Sequence, residues 1–209
     1  MGSKDERPES FTRTARKAQI VACAIEVIAE VGYPQASIRK IADRVGIAMS
    51  AVLYHFGSKD NLVDAIVEHM YRTMLALVAP ALDAETTATG KLNAYIRSCI
   101  EYFGTHRAAL LALTSTATNF APGDGRRFDE LGLSPEVAEQ LTVLDPMAIL
   151  AAGQRNGEFG DFPLESTAMA VRGAVNSVVE KILREPGYDA RGYGEDLVEI
   201  FGRVVSSGQ

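Results

Sequence analysis

Residues 37–59 read SIRKIADRVGIAMSAVLYHFGSK, and this stretch decides the fold. Apolar side chains share one face of a short helix, namely Ile38, Ile41, Ala42 and Val45. Ser37 is a plausible N-cap for that helix, and Gly46 follows where a sharp turn needs a positive φ. Val52 then provides an apolar anchor in the next helix. A small residue, a turn glycine and an apolar anchor at this spacing predict a helix-turn-helix.

The remainder of the sequence is also helical in its pattern. Apolar residues recur at steps of three and four, and no stretch alternates as a half-buried strand would. Glycine and proline residues divide the chain into helices. The first covers about 12–31, the second runs from the Ser37 cap to about Val45, and the third covers about 48–55. A long helix then ends before Pro80, and five further helices follow. The sequence therefore predicts an all-α fold.

Composition excludes several classes of protein. The chain has 209 residues, of which 47% are apolar and 23% charged, and this is too hydrophobic for a disordered chain. No apolar run reaches the roughly 18 residues of a membrane helix, and the polar start is not a secretory signal. The only cysteines, Cys23 and Cys99, fall in apolar helical patterns. We therefore expect no disulfide scaffold, no membrane association and a cytoplasmic location.

Charge is distributed unevenly along the chain. Residues 1–60 hold nine Lys or Arg and seven Asp or Glu, whereas residues 61–209 hold twelve and twenty. A mildly basic head on an acidic body suggests that only the head approaches a polyanion.

No pattern of catalytic or metal-binding residues emerges. The three histidines, His55, His69 and His106, do not pair at the spacing of helical metal ligands. Neither a phosphate-binding glycine loop nor a nucleophile elbow is present in the sequence. The sequence therefore predicts no catalytic residue, no metal and no cofactor, and it assigns His55 a structural hydrogen bond at a helix end.

Residues 12–62 resemble the DNA-binding domain of the TetR/AcrR family of transcriptional regulators. The matching positions are Ile20, Ala24, Ala29, Gly32, Tyr33, Ser37, Ile41, Ala42, Val45, Gly46, His55, Phe56, Ser58, Lys59 and Leu62. The resemblance implies a flexible arm over 1–11, a three-helix helix-turn-helix domain over 12–60, and a helical ligand-binding and dimerisation domain over 61–209.

A helix that enters the major groove presents short side chains at its start. Ala48, Met49, Ser50 and Ala51 fit that requirement, and none is acidic. Ser50 is expected to bond a base edge, and Met49 and Ala51 to contact a thymine methyl group. The alternative is that these are simply exposed helix residues.

Phosphate contacts are expected from the residues around that helix. The set comprises Thr12, Arg13, Ser37, Arg39, Tyr54 and Lys59, and His55, at the end of the third helix, is counted with the DNA-binding residues. Thr12 and Arg13 are expected to begin the first helix, where free backbone N–H groups attract anions. The family commonly has Tyr where this chain has Leu53, so whether Tyr54 replaces it stays open.

The body supplies two further sets of expected contacts. Effector-binding candidates are Tyr102, Phe103, His106, Thr114, Asn119, Met147, Gln154 and Asn176. The last two long helices carry more apolar surface than the edge of a monomer needs, which predicts a twofold four-helix interface. Its candidates are Ala170, Gly173, Ala174, Ser177, Leu197, Ile200, Phe201 and Val204. The alternative is that both helices pack only on their own chain.

These observations predict a homodimeric DNA-binding regulator that is not an enzyme. The resemblance implies a repressor that a small-molecule effector releases from a palindromic double-stranded operator. Alternatives are an effector-independent or activating regulator of the same family, a small helical enzyme, or a helical interaction module. Neither the effector, the operator, the regulated genes nor the sign of regulation follows from the sequence.

Overall fold

The computed structural model of the chain describes residues 6–120 and 132–206. Those residues form α-helices and short 3-10 turns with no strand, so the predicted all-α fold is confirmed. The helices are α1 (Glu6–Val31), α2 (Ile38–Val45), α3 (Met49–Phe56), α4 (Lys59–Asp83), α5 (Ala88–Thr105), α6 (Arg107–Asn119), α7 (Pro135–Gln140), α8 (Met147–Asn156), α9 (Leu164–Arg184) and α10 (Ala190–Ser206). The 3-10 turns span Tyr33–Gln35 and Leu141–Leu144.

The chain divides into two units whose limits differ from the domain limits predicted at residue 60. Within the described residues, the first unit holds 6–70, 111–120 and 132–133, and the second holds 71–110 and 134–206. The start of α4 belongs to the first unit and buries Leu62 and Ile66. The division thus falls inside α4 and α6 rather than in a linker.

In the first unit, α2 contacts both α1 and α3. The helix-turn-helix forms where the sequence predicts it. Ser37 caps α2, since its Oγ accepts the backbone N–H of Lys40 at 3.2 Å. Gly46 ends α2 in the left-handed region at φ 77°, and its N–H donates to the carbonyl of Ala42 at 2.9 Å. A side chain other than glycine would be strained at that φ.

Two helix ends differ from the sequence expectation. Helix α1 begins at Glu6, so residues 6–11 of the expected arm are helical, while residues 1–5 lie outside the described chain. Pro8 fits the first turn because the N–H that it lacks would have no helical partner there. Helix α4 passes Pro80 and ends at Asp83. The proline removes one hydrogen bond, but the buried Val78 and Leu82 hold this segment on the core of the second unit.

The second unit is built around α5, which contacts α8, α9 and α10. The inward side chains of α5 include Leu92, Tyr95, Ile96 and Cys99, and all are buried. Helix α10 approaches closely because Gly194 has no side chain, and a Cβ there would lie 3.3 Å from Ile100. The unit therefore has a continuous apolar core.

In the described ranges, no helix is long and apolar enough to cross a membrane.

Candidate nucleic-acid interface

Helix α3 has one face buried in the first unit and another exposed to solvent. Val52 is fully buried and Phe56 nearly so, whereas Met49 is 49% exposed and Tyr54 is 74% exposed. Burial of a side chain such as Val52 stabilises the domain by about 1.5–3 kcal/mol. Ser50 is exposed beside Met49. The buried pair holds the helix in place, and the opposite face presents its side chains to a partner.

The structure distributes the four predicted base-reading residues unequally. Ala48, Met49 and Ser50 are exposed, but Ala51 is half-buried. Leu53, which is not among the predicted base-reading residues, is 37% exposed. It stands one helical turn after Met49, so the two side chains lie on neighbouring positions of one face. The exposed face of α3 therefore includes Leu53, whereas Ala51 is only partly accessible.

His55 lies at the inner edge of α3. It is half-buried, and within the described residues its Nδ1 is buried with no hydrogen-bond partner. Nδ1 does not make the structural hydrogen bond that the sequence predicts. Burial lowers the pKa of His55, and the positive charges of Arg13, Lys17 and Arg16 lower it further. Burial and the neighbouring cations thus both favour the neutral form of the ring.

Two of those cations, Arg13 and Lys17, lie close to aromatic residues of α3. The guanidinium carbon of Arg13 lies 5.9 Å from the centroid of the Tyr54 ring, and Lys17 Nζ lies 5.8 Å from that of Phe56. Both distances are within the range of a cation–π contact. Thr12 and Arg13 lie inside α1 rather than at its start, because α1 begins at Glu6. Their backbone amides therefore belong to the helical hydrogen-bond ladder and are not free for an anion.

Helix α2 and its N-cap carry exposed polar side chains, and one arginine of the helix is paired with α1. Arg39 and Ser37 are exposed, as a phosphate-binding role requires. Arg44 instead pairs with two carboxylates of α1, since its guanidinium lies 3.3 Å from Glu26 and 3.0 Å from an oxygen of Glu30. The hydrogen bond from Arg44 lowers the pKa of Glu30. Arg44 therefore ties α2 to α1.

Lys59, predicted to bind phosphate, has a partner inside the first unit. Its Nζ donates to the carbonyl oxygen of Tyr33 at 2.7 Å and lies 3.8 Å from the centroid of the Tyr33 ring. The side chain is half-buried, and burial lowers its pKa. Tyr33 is fixed in turn, because its backbone N–H donates to Ser115 Oγ at 2.9 Å. No local pattern indicates this contact in advance, since 26 positions separate Lys59 from Tyr33.

The first five effector candidates differ in burial. Tyr102 and Phe103 are buried in the core of the second unit, and His106 stacks on Tyr102 with ring centroids 4.4 Å apart. Burial raises the pKa of Tyr102 to about 12. Thr114 and Asn119 are exposed and belong to the first unit. These five residues are thus divided between the two units.

The three other effector candidates have different surroundings. Met147 packs against the core, and Asn176 is exposed on α9. The Gln154 amide donates to the carbonyls of Gly160 and Phe162, at 3.2 and 3.1 Å, so it holds the chain after α8 in place. A cavity of about 340 Å³ near the end of α9 is lined by none of the eight candidates. No group of three metal-ligating side chains that could hold a metal occurs among the described residues.

The predicted dimer-interface residues divide into core and surface. Leu197 and Phe201 are only 4% and 7% exposed and lie in the core of their own chain, so their assignment to a partner contact is corrected. They face inward because α10 packs on α5 and α9 through that side. Ala174 is half-buried, and its carbonyl accepts a hydrogen bond from the Tyr193 hydroxyl at 2.8 Å. The remaining candidates, Ala170, Gly173, Ser177, Ile200 and Val204, are exposed.

Comparison with known proteins identifies the helix-turn-helix. Residues 20–66 match the family model of bacterial regulatory proteins of the tetR family. Over 69 residues the chain is 32% identical to the HTH-type transcriptional regulator BetI of Burkholderia ambifaria, a match that covers 33% of this chain and 36% of that relative. The match to these curated relatives therefore spans little more than a third of their length.

Solved structures share the fold over nearly the whole chain. The transcriptional regulator FadR of Bacillus subtilis, solved in complex with stearoyl-CoA, superposes with a TM-score of 0.73 at 20% identity, covering 92% of this chain and 99% of that one. The ketosteroid transcriptional regulator KstR2 of Mycobacterium tuberculosis gives a TM-score of 0.69 at 20% identity, covering 91% and 95%. At this identity the likeness establishes the fold. Residues 20–66 thus match the helix-turn-helix domain of the tetR family of bacterial regulatory proteins, and the chain shares the all-helical fold of these solved regulators.

Proposed function

We propose that the chain is a sequence-specific DNA-binding transcriptional regulator, acting as a repressor that a small-molecule effector releases from a palindromic operator. One observation carries the proposal. The domain that matches the family model exposes Met49, Ser50 and Tyr54 on α3, while Val52 and Phe56 anchor the opposite face of that helix. A helix held in this way can enter the major groove of DNA and approach the base edges.

Charges around α3 support a polyanionic partner. Helix α3 has no acidic residue, and Arg13 and Lys17 lie near its aromatic side chains. Arg39 is exposed on α2. Such side chains position a protein on the phosphate backbone, and base contacts from Ser50 and its neighbours provide selectivity.

The proposed active form is a homodimer. A single α3 offers few base contacts, whereas two copies related by a twofold axis would read half-sites about 34–36 Å apart. Helices α9 and α10 contact each other and leave Met169, Ile200 and Val204 exposed by 59%, 52% and 41%. Exposed apolar side chains on two packed helices favour a second copy of this surface as the partner.

The effector site is proposed for the second unit, around Tyr102 and His106. A structure with this fold, FadR of Bacillus subtilis, holds stearoyl-CoA, which supports a small-molecule effector for this chain without naming it. An effector that binds the DNA-free form more tightly weakens operator binding, and by linkage the operator weakens effector binding by the same factor. In this proposal the protein works in the cytoplasm and needs no catalytic residue, metal or cofactor.

A binding titration tests the proposal. A labelled duplex from upstream of the protein's own gene should form a specific complex that weakens steeply with salt, because bound phosphates release counterions. Arg39→Ala should weaken the complex, whereas Arg184→Ala should not, since this second exposed arginine lies on α9. Absence of any specific complex at low salt, with that duplex and with a random duplex pool, would overturn the proposal.

The same assay separates the alternatives within the family. If the complex forms and no compound of a broad small-molecule screen weakens it, the regulator is effector-independent. Transcription measured with and without the protein gives the sign of regulation.

A further inference from the structure

Helix α3 exposes two large apolar side chains, Met49 and Leu53, on the surface that is proposed to face DNA, where polar side chains could also stand. Met49 and Leu53 are 49% and 37% exposed and are spaced by four residues. Side chains at this spacing lie one above the other on a helix face. A single exposed apolar residue needs no explanation, but this pair, which we name the Met49–Leu53 ridge, lies on the functional helix.

The ridge is not needed to hold α3 in place. Val52 and Phe56 already anchor the helix, and they are 0% and 9% exposed. Leu53 also carries no hydrogen-bond donor, so it cannot hold a phosphate. The ridge therefore calls for an apolar partner group outside the domain.

The surroundings of the ridge indicate where that apolar group is located. Ser50 and Tyr54 flank it with hydroxyl groups, and Arg13 lies over the Tyr54 ring. Because α3 has no acidic residue, the ridge is an apolar strip within a polar and basic surface. The major groove of DNA presents a matching combination, since thymine methyl groups are the apolar groups among its polar base edges.

We propose that the Met49–Leu53 ridge contacts thymine methyl groups and so determines operator specificity, an inference that rests on the proposed DNA-binding function. A step of four residues advances about 6 Å along a helix, and base pairs stack about 3.4 Å apart. Two residues at this spacing therefore reach methyl groups one or two base steps apart. The operator half-site should contain thymines at such a pair of positions.

Uracil substitution tests the inference, because uracil differs from thymine only by the missing methyl group. The probe is a duplex that the wild-type protein selects from a random pool, with each thymine replaced singly by uracil. The wild-type Kd should rise about fourfold at two neighbouring positions of a half-site, as expected for loss of one buried methyl contact. For Leu53→Ala, uracil at one of these two positions should no longer change the Kd. For Met49→Ala, uracil at the other position should no longer change it.

Two further variants serve as controls. Leu53→Met keeps an apolar side chain and should retain sensitivity at the Leu53 position, and Ser50→Ala should leave both methyl effects unchanged. Thermal unfolding should show every variant folded at the temperature of the assay, with a small loss of Tm in Leu53→Ala because that side chain is only 37% exposed.

The possible outcomes separate the inference from the proposed function. A specific complex indifferent to every uracil, or methyl effects that persist in both alanine variants, would overturn the inference alone. Failure of the wild-type protein to select or bind any duplex would overturn both.

Discussion

The ammonium group of Lys59 lies 2.7 Å from the carbonyl oxygen of Tyr33 and 3.8 Å from the centroid of the Tyr33 ring. This contact joins the start of α4 to the 3-10 turn between α1 and α2. Tyr33 also bonds Ser115 and meets the Phe120 ring edge-on with centroids 6.0 Å apart. Lys59 thus belongs to the cluster that holds the helix-turn-helix together, in addition to the phosphate role that the sequence predicts.

Replacing Lys59 by methionine keeps the aliphatic stem and removes the ammonium. We expect Lys59→Met to lower the free energy of unfolding by about 0.5–1.5 kcal/mol, because the Tyr33 carbonyl loses its shorter hydrogen bond and keeps only the one from the Ala36 N–H at 3.3 Å. Operator binding should weaken for all sequences, but the salt dependence should stay as in wild type if Lys59 acts by positioning. Chemical denaturation and operator titrations at several salt concentrations measure the two effects.

Arg39→Ala is the matched control for Lys59. Arg39 is exposed, so its removal should leave the free energy of unfolding unchanged. The slope of the logarithm of the binding constant against the logarithm of the salt concentration should become shallower by about 1. A slope that also falls by about 1 in Lys59→Met would show that Lys59 leaves Tyr33 and binds phosphate in the complex.

The contrast between Ser37 and Lys59 shows what the sequence could predict. Ser37 caps α2 through a partner three residues away, so local chain geometry determines the contact. The turn at Gly46 is local in the same sense. The partner of Lys59 is set by the packing of α1, α2 and α4, and no periodicity in the sequence encodes it. Local motifs therefore located the helix-turn-helix, but they could not show that Arg44 and Lys59 are bound to partners within the first unit.

Helix α10 shows a second limit of the sequence pattern. Leu197, Ile200, Phe201 and Val204 all suggested a partner interface, because the helix is apolar on more than one face. The structure divides these residues between a buried side and an exposed side, and the boundary depends on where α5 and α9 lie. Effector-binding residues are hard to predict for the same reason, since a pocket is formed by residues that are distant in sequence.

Tyr54 is the next residue whose role a substitution can determine. If its hydroxyl replaces the tyrosine hydroxyl absent at Leu53, Tyr54→Phe should weaken operator binding about fivefold for all sequences, the loss of one hydrogen bond. The ring would remain, so the contact with Arg13 at 5.9 Å would persist. Tyr71→Phe, at a tyrosine of α4 that is 37% exposed, should bind as wild type. If Tyr54→Phe binds the operator as tightly as wild type does, the Tyr54 hydroxyl does not take over the contact of the tyrosine that the family commonly has at position 53.

The buried thiol of Cys99 makes the stability of the second unit depend on pH in the alkaline range. Burial raises the pKa of the Cys99 thiol from 9.0 to about 12. Because the unfolded chain ionises first, stability is complete below about pH 9 and falls as the pH rises toward 12. The loss should reach about 1 kcal/mol by pH 10, measurable as a falling Tm.

Cys99→Ala removes that ionisation and should flatten the decline between about pH 8 and pH 10, although its Tm at neutral pH will be lower because of the cavity. Cys23→Ala retains Cys99 and should decline as wild type does. Equal slopes in all three proteins would mean that Cys99 is hydrated in solution.

Ile200 tests the proposed homodimer. The side chain is 52% exposed on α10, so Ile200→Glu should leave the fold intact while placing two carboxylates close together in a twofold interface. Sedimentation at micromolar concentration should change from dimer to monomer. Operator affinity should fall at least a hundredfold, because the second reading head then binds as an independent molecule.

Ala148→Glu is the control, since Ala148 is exposed on α8, which is not one of the two helices proposed to pair. It adds the same charge and should remain dimeric with normal operator affinity. A wild-type protein that sediments as a monomer would remove the interface altogether. A dimeric Ile200→Glu would instead place the interface on a surface other than that of Ile200, because a buried pair of unpaired carboxylates costs several kcal/mol and would not be tolerated there.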